Sequence, residues 1–247
     1  MGKAICAVSF FLVNCRKKID CVTNYLQFCN KMIVPEDRIV ELPSEPHVVN
    51  YDVPTESMHL LSLVEKNLPN ARLLKRLDVI QWLIADTSFL PHQKKNELLD
   101  LERSWGLDLL RTIRPNTKAM SNWGEVAEEI ARELLMIEGK TVMKPKIMNT
   151  YKLDWETAHE MIEVKSQGYH MTGTADEKIF GVPFKYADVP ELFNKPVRVI
   201  LMGGAEVKAR NRELLDPIKP SKLRHVAFWT NEGFTFVGGS QILRTLK

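Results

Sequence analysis

The chain has 247 residues, 45% of them apolar and 26% charged, with 34 Lys and Arg against 31 Asp and Glu for a net charge of +3. That composition excludes a disordered, collagen-like or low-complexity protein, and the length allows one large domain or two small ones. No apolar run approaches the roughly 20 residues that a membrane-spanning helix needs.

All four cysteines, Cys6, Cys15, Cys21 and Cys29, fall in the first 30 residues, and none forms a C-x-x-C pair. Neither a zinc site nor a chain-wide disulfide framework is expected from that spacing, so the thiols are read as reduced and the compartment as intracellular. Lys3 followed by Ala4–Val13 mimics a secretory signal, but no A-x-A-like cleavage site follows. Asn14 is bulkier than the residue a lipoprotein box wants before Cys15, and Cys6 stands where a myristoylation signal wants Ser or Thr. Ala4–Val13 is therefore expected as a buried β-strand.

A helix is expected over Arg16–Met32, with Ile19, Val22, Leu26 and Cys29 at helical spacing. Short extended segments follow at Arg38–Leu42 and His47–Val53, broken by Pro35, Pro43, Pro46 and Pro54. After Pro54, Met58, Leu61 and Val64 mark a helix, and Asn70–Ala85 is expected as another, carrying Leu73, Leu77, Ile80 and Ile84. Pro91 suits the first turn of the next, where Leu98, Leu101, Trp105 and Leu109 line one face and Arg114-Pro115 ends it. Trp123–Glu138 has the clearest i, i+3, i+4 pattern, with Asn122 and Glu125 resembling a capping box and Gly139 as the stop.

Beyond Gly139 the pattern changes. Lys140–Met148 is expected to be extended, and Asp154–Gln167 to be a helix with an Asp cap and Gly168 at its end. Lys178–Tyr186, Val197–Met202, Arg224–Thr230 and Phe234–Val237 are expected as strands, with short helices over Glu206–Leu215 and Ser240–Leu246. Asn231-Glu232-Gly233 is the expected hairpin turn. The fold class is α+β: an N-terminal strand and helix, a central helix-rich block, and a C-terminal mixed small sheet with short helices. Residues 1–138 and 139–247 form the two regions, with a soft boundary.

Charge is unevenly distributed. Residues 195–247 hold ten basic and four acidic side chains, net +6, whereas the preceding 194 residues are net −3. A basic module on a mildly acidic body points to a polyanionic partner. Lys208, Arg210, Arg212, Lys219, Lys222 and Arg224 are the candidate phosphate contacts, and Trp229 the candidate base-stacking residue. Two strand–Gly-Gly–helix junctions, at Gly203-Gly204 and Gly238-Gly239, are candidate anion sites because helix N-termini present unpaired N–H groups. Neither matches a dinucleotide fingerprint or a P-loop.

No catalytic or metal-binding residue is assigned from the six scattered histidines, because no H-E-x-x-H, Ser-His-Asp order or G-x-S-x-G elbow is present. One string carries more chemistry. Met161-Ile162-Glu163-Val164-Lys165, hydrophobic-Glu-hydrophobic-Lys with Asp154 upstream, resembles the PD-(D/E)xK nucleases. That resemblance implies carboxylates at Asp154 and Glu163 that hold Mg²⁺, a Lys165 that assists the attacking water, and strands beneath them. Ile179–Phe184 followed by Val199–Gly203 is similar to the C-terminal part of tailed-phage capsid proteins, which implies a structural role.

The leading expectation is a non-enzymatic nucleic-acid-binding accessory protein for single-stranded DNA or RNA, acting through the basic C-terminal region without a cofactor or membrane. Residues 55–138 would supply a scaffold, a protein partner surface or self-association. The alternatives are a structural or assembly protein using that helical block, and a Mg²⁺-dependent nuclease.

Overall fold

The computed structural model describes residues 53–90, 95–118, 123–147, 149–171 and 175–247. The chain divides into two units, Met1–Val49 and Asn50–Lys247, and every described residue belongs to the second. The elements expected at Ala4–Val13, Arg16–Met32 and Arg38–Leu42 lie outside the described residues, as do residues 47–52, Pro91 and the Asn122 cap.

The helical block comprises Val53–Asn67 (α1), Leu77–Leu83 (α2), Lys95–Ile113 (α3) and Trp123–Ile137 (α4). Along α4, Val126, Ala127, Ile130, Ala131 and Leu134 are fully buried, as their helical spacing requires. Gly139 closes it with φ +73°, a value that favours glycine. On α1 the buried stripe is Ser57, Leu60 and Val64, so Met58 faces out at 54% exposure. The helix expected over Asn70–Ala85 shrinks to α2. Residues before it turn instead, because Glu133 of α4 accepts the N–H groups of Arg72, Leu73 and Leu74 that a longer helix would pair internally.

Three further expectations are corrected. Asp154–Gln167 is no helix: it forms the strands Trp155–Glu156 (β1) and Met161–Gln167 (β2). Thr157 Oγ1 accepts the N–H groups of His159 and Glu160, turning the chain back so that Trp155 pairs with Ile162 and Glu156 with Met161. Lys178–Tyr186 is no strand, since Ala175–Phe180 (α5) and Val182–Lys185 (α6) are helices, with Pro183 in the first turn of α6. Arg224–Thr230 likewise lies inside the helix Pro220–Asn231 (α9), which Pro220 opens.

Val189–Phe193 (α7) precedes Val197–Gly203 (β3), and Gly204–Asn211 (α8) follows it. Phe234–Gly238 (β4) and Gly239–Leu243 (α10) complete the described fold. The Asn231-Glu232-Gly233 turn joins α9 to β4 rather than two strands of a hairpin, because β4 runs parallel to β3. Lys140–Met148 contributes a single bridge, Met143 to Glu156.

The α+β fold centres on a four-stranded sheet in the order β1-β2-β3-β4, antiparallel only between β1 and β2. Strand alternation separates two cores. Ile162, Val164, Ile200 and Met202 join α1, α2, α4 and α10 in one apolar cluster. Met161, Val197, Val199, Leu201 and Phe234 join Ile179, Val182, Val189, Ala205 and Ala209 in the other. Both crossovers, β2 to β3 through α5–α7 and β3 to β4 through α8 and α9, are the helical connections that parallel pairing requires. Among the described residues no helix is long and apolar enough to cross a membrane.

Candidate active site and basic face

On β2 the side chains of Glu163 and Lys165 share the face of Met161, the face covered by α5–α7. Their register positions lie opposite Val199 and Leu201 of β3. β1 is only two residues long, so its ladder stops where β2 reaches Glu163. There the Asp154 side chain takes over: its Oδ2 accepts the N–H of Val164 at 2.7 Å, while its own N–H donates to Ile162 O at 3.0 Å. Asp154 therefore sits where the two strands part, with Glu163 and Lys165 beside it.

The electrostatics of this centre are unusual. Glu163 is buried at 3% exposure; its Oε1 pairs with Lys165 Nζ, and its Oε2 has no hydrogen-bond partner. Burial pushes Asp154 up to about 6, against the Val164 hydrogen bond, and the negative charge of Glu128 on α4 adds to the rise. Glu163 is raised by burial and then by the Asp154 carboxylate, with Lys165 opposing. Two partly desolvated carboxylates that repel each other, one holding an unpartnered oxygen, form a site that a cation would relieve. Among the described residues no group of three or more His, Cys, Asp and Glu forms a larger metal cluster.

Cations surround the pair. Lys144 Nζ lies 3.3 Å from Asp154 O, 3.6 Å from Glu128 Oε2 and 3.6 Å above the Trp155 ring. On the opposite side Tyr186, 2% exposed, follows α6 and receives a hydrogen bond from Lys185 Nζ at 2.8 Å. Its own hydroxyl donates to Lys152 O at 3.4 Å, and burial, followed by the nearby Glu163 charge, drives the phenol well above its ordinary range. Tyr186 and Lys185 were not marked by any motif. Only the tertiary packing of the segment after β2 onto the sheet brings them to the carboxylates.

The seven residues expected to bind nucleic acid spread over α8, α9 and the loop between them. Arg212, Lys222 and Trp229 come together around an open cavity of about 550 Å³, with Phe180, Leu214 and His225. Lys222 Nζ donates to Arg212 O, and Trp229 is half-buried against Phe180 and Phe236 at ring separations of 6.2 and 5.4 Å. Arg224 is exposed on α9 and Lys208 half-exposed on α8. Arg210 is bound at 2.7 Å to Glu206, and Lys219 pairs with Glu213 at 3.2 Å.

Both glycine junctions have an internal explanation. A Cβ on Gly203 would collide with the Trp82 ring and Gln167 O, so close packing requires that glycine. At the start of α10 the expected anion is the protein's own: Glu206 accepts the Ser240 N–H at 3.1 Å and its hydroxyl at 2.5 Å. No family model, curated protein or solved structure matches the chain.

Proposed function

We propose that the protein is a divalent-metal-dependent phosphodiesterase acting on nucleic acid, with Asp154, Glu163 and Lys165 as its reacting centre. The observation that carries this reading is that Asp154, the residue before β1, accepts the N–H of Val164, which lies between Glu163 and Lys165 on β2, with a buried Glu163 oxygen left unpartnered. Residues 154–167 contribute β1 and β2 rather than the expected helix, and strands are the setting that the PD-(D/E)xK resemblance implies. A Mg²⁺ ion held by Asp154 and Glu163 would polarise the phosphoryl oxygen and acidify a bound water, as metals do in such sites.

This chain's residues supply the rest. Lys165, fixed on a strand and paired with Glu163, orients the attacking water and stabilises the negative charge that grows on the phosphate. Lys185, held by the Tyr186 hydroxyl on the other side of Glu163, adds a second positive charge. The water oxygen forms a new P–O bond, the P–O bond to the sugar oxygen breaks, and a proton passes to that oxygen.

The test is cleavage of labelled single- and double-stranded oligonucleotides with Mg²⁺ or Mn²⁺. Asp154→Asn, Glu163→Gln and Lys165→Ala are each expected to reduce the rate by about 10²-fold or more while retaining oligonucleotide binding. Full activity in Glu163→Gln overturns the assignment. A second reading, the non-enzymatic accessory protein, is favoured by the cationic α8–α9 surface alone. It predicts salt-sensitive binding with no cleavage in any of these proteins.

A further inference from the structure

The cavity beside α9 combines two features that rarely coincide by chance of packing. Its apolar wall is Phe180, Leu214 and Trp229, and its polar wall is Arg212, Ser221, Lys222 and His225, with no carboxylate among the lining residues. An aromatic surface flanked by cations suits a ligand with a planar face and a negative charge, and 550 Å³ lies within the usual span of small-ligand sites. A nucleotide has both properties. The cavity is also tied to the reacting centre through the chain: Phe180 ends α5, and Lys185 at the carboxylates lies five residues on, no more than about 18 Å of extended backbone.

We propose that this cavity receives one unstacked nucleotide of the substrate strand, its base against Trp229 and its phosphate among Arg212, Lys222 and His225. The proposal rests on the phosphodiesterase reading and names its substrate class: a strand with at least one unpaired nucleotide beside the scissile phosphate. A duplex stacks every base and cannot enter the cavity without extruding one. The protein would therefore prefer single strands, frayed ends or flaps to an intact duplex.

The test uses the full chain carrying Glu163→Gln and a labelled twelve-nucleotide thymidine oligomer, with two variants added separately. Trp229→Leu keeps the apolar packing against Phe236 but removes the stacking surface, and Arg212→Gln with Lys222→Gln removes charge at the cavity mouth. Each is expected to weaken binding about tenfold, and the second to lower the salt slope by about one. The oligomer should quench tryptophan fluorescence in the parent and not in Trp229→Leu. Unchanged affinity in both variants, with unchanged circular dichroism, overturns the proposal. So does thymidine monophosphate quenching Trp229 while oligomer affinity stays unmoved, since that marks a free-nucleotide site. If the unmodified chain fails to cleave with Mg²⁺ yet Trp229→Leu loses the oligomer, the phosphodiesterase reading fails and the cavity assignment stands. If the Trp229→Leu change and the Arg212→Gln with Lys222→Gln change, each made in the chain that keeps Glu163, leave the rate and KM of short-strand cleavage unaltered, the reverse holds.

Discussion

Asp154 and Glu163 share a poorly solvated corner in which neither can ionise without cost to the fold. Asp154 titrates near 6, above its ordinary 3.8, chiefly because burial disfavours the charged form. A folded-state value above the unfolded one favours the protonated native state. The contribution is fully present below about pH 4 and is lost as the pH rises through about 6, costing about 3 kcal/mol by pH 7. Asp154→Asn removes the charge and keeps an oxygen for the Val164 N–H. It is expected to raise the melting temperature at pH 7.5 by several degrees. Mg²⁺ or Mn²⁺ should stabilise the unmodified chain in the same way, be reversed by EDTA, and do nothing for Asp154→Asn. A melting temperature indifferent to both metal and substitution would show that the carboxylates neither strain the fold nor bind a cation.

At the scale of elements, buried glutamates do what turn motifs do elsewhere. Glu133 of α4 gathers the N–H groups of residues 72–74, Glu102 of α3 those of Tyr169 and His170, and Glu206 of α8 that of Ser240. Glu133 and Glu102 each join a helix to a loop distant in sequence, and Glu206 joins α8 to the first turn of α10. Glu133→Ala leaves the amides of Leu73 and Leu74 buried without an acceptor, so urea unfolding should show a loss of about 2–5 kcal/mol. A loss below 1 kcal/mol would mean that water replaces the carboxylate. These contacts also explain which elements were legible from sequence. α4 declares itself because Val126, Ile130 and Leu134 keep one helical period, and β3 because Val197–Met202 is a short, nearly continuous apolar run between Pro196 and Gly203. β2 does not: Met161 and Ile162 are both buried, one on each face, and Thr157 reverses the chain through a side-chain bond that periodicity does not register. The same expectation of a helix left Asp154, Glu163 and Lys165 legible only through the nuclease resemblance, not from their periodicity. Glu163 and Lys165 point the same way only on a strand, and Lys185 and Tyr186 reach them only through tertiary packing. Arg212, Lys222 and Trp229 were legible as a basic, aromatic set, but their meeting around one cavity depends on α9 being a helix.

Across the molecule, the sheet divides its labour between two faces. Both faces bury an apolar cluster, but Glu163 and Lys165 stand only on the face opposite α1, α2, α4 and α10. On the α4 side the sheet's charged residue is Arg198 of β3, whose guanidinium makes two hydrogen bonds of 2.6 and 2.8 Å to Glu138, just beyond α4. Burial works against that carboxylate, but Arg198 and Lys140 outweigh it and hold Glu138 below its ordinary range. A lowered folded-state value gives stability that is present above the ordinary value of 4.5 and is lost as the pH falls through the folded one. Asp78, held low by Arg76 and Trp105 against its own burial, acts in the same direction. The stability profile is therefore bounded on both sides by different faces of the sheet: on the acid side by Glu138 and Asp78, on the neutral side by Asp154. Glu138→Gln should cost about 3 kcal/mol at pH 6, because it leaves Arg198 half-buried beside a neutral amide, and should flatten the acid limb while leaving the decline through pH 6 in place. Asp154→Asn should do the opposite, weakening the decline to the part that buried Glu163 contributes and sparing the acid limb. Denaturant titrations of the two single variants and the double variant, from pH 3 to 8, separate these terms. Changes that add in the double variant would show that Glu138 and Asp154 titrate independently, as two groups on opposite sides of a close-packed sheet should.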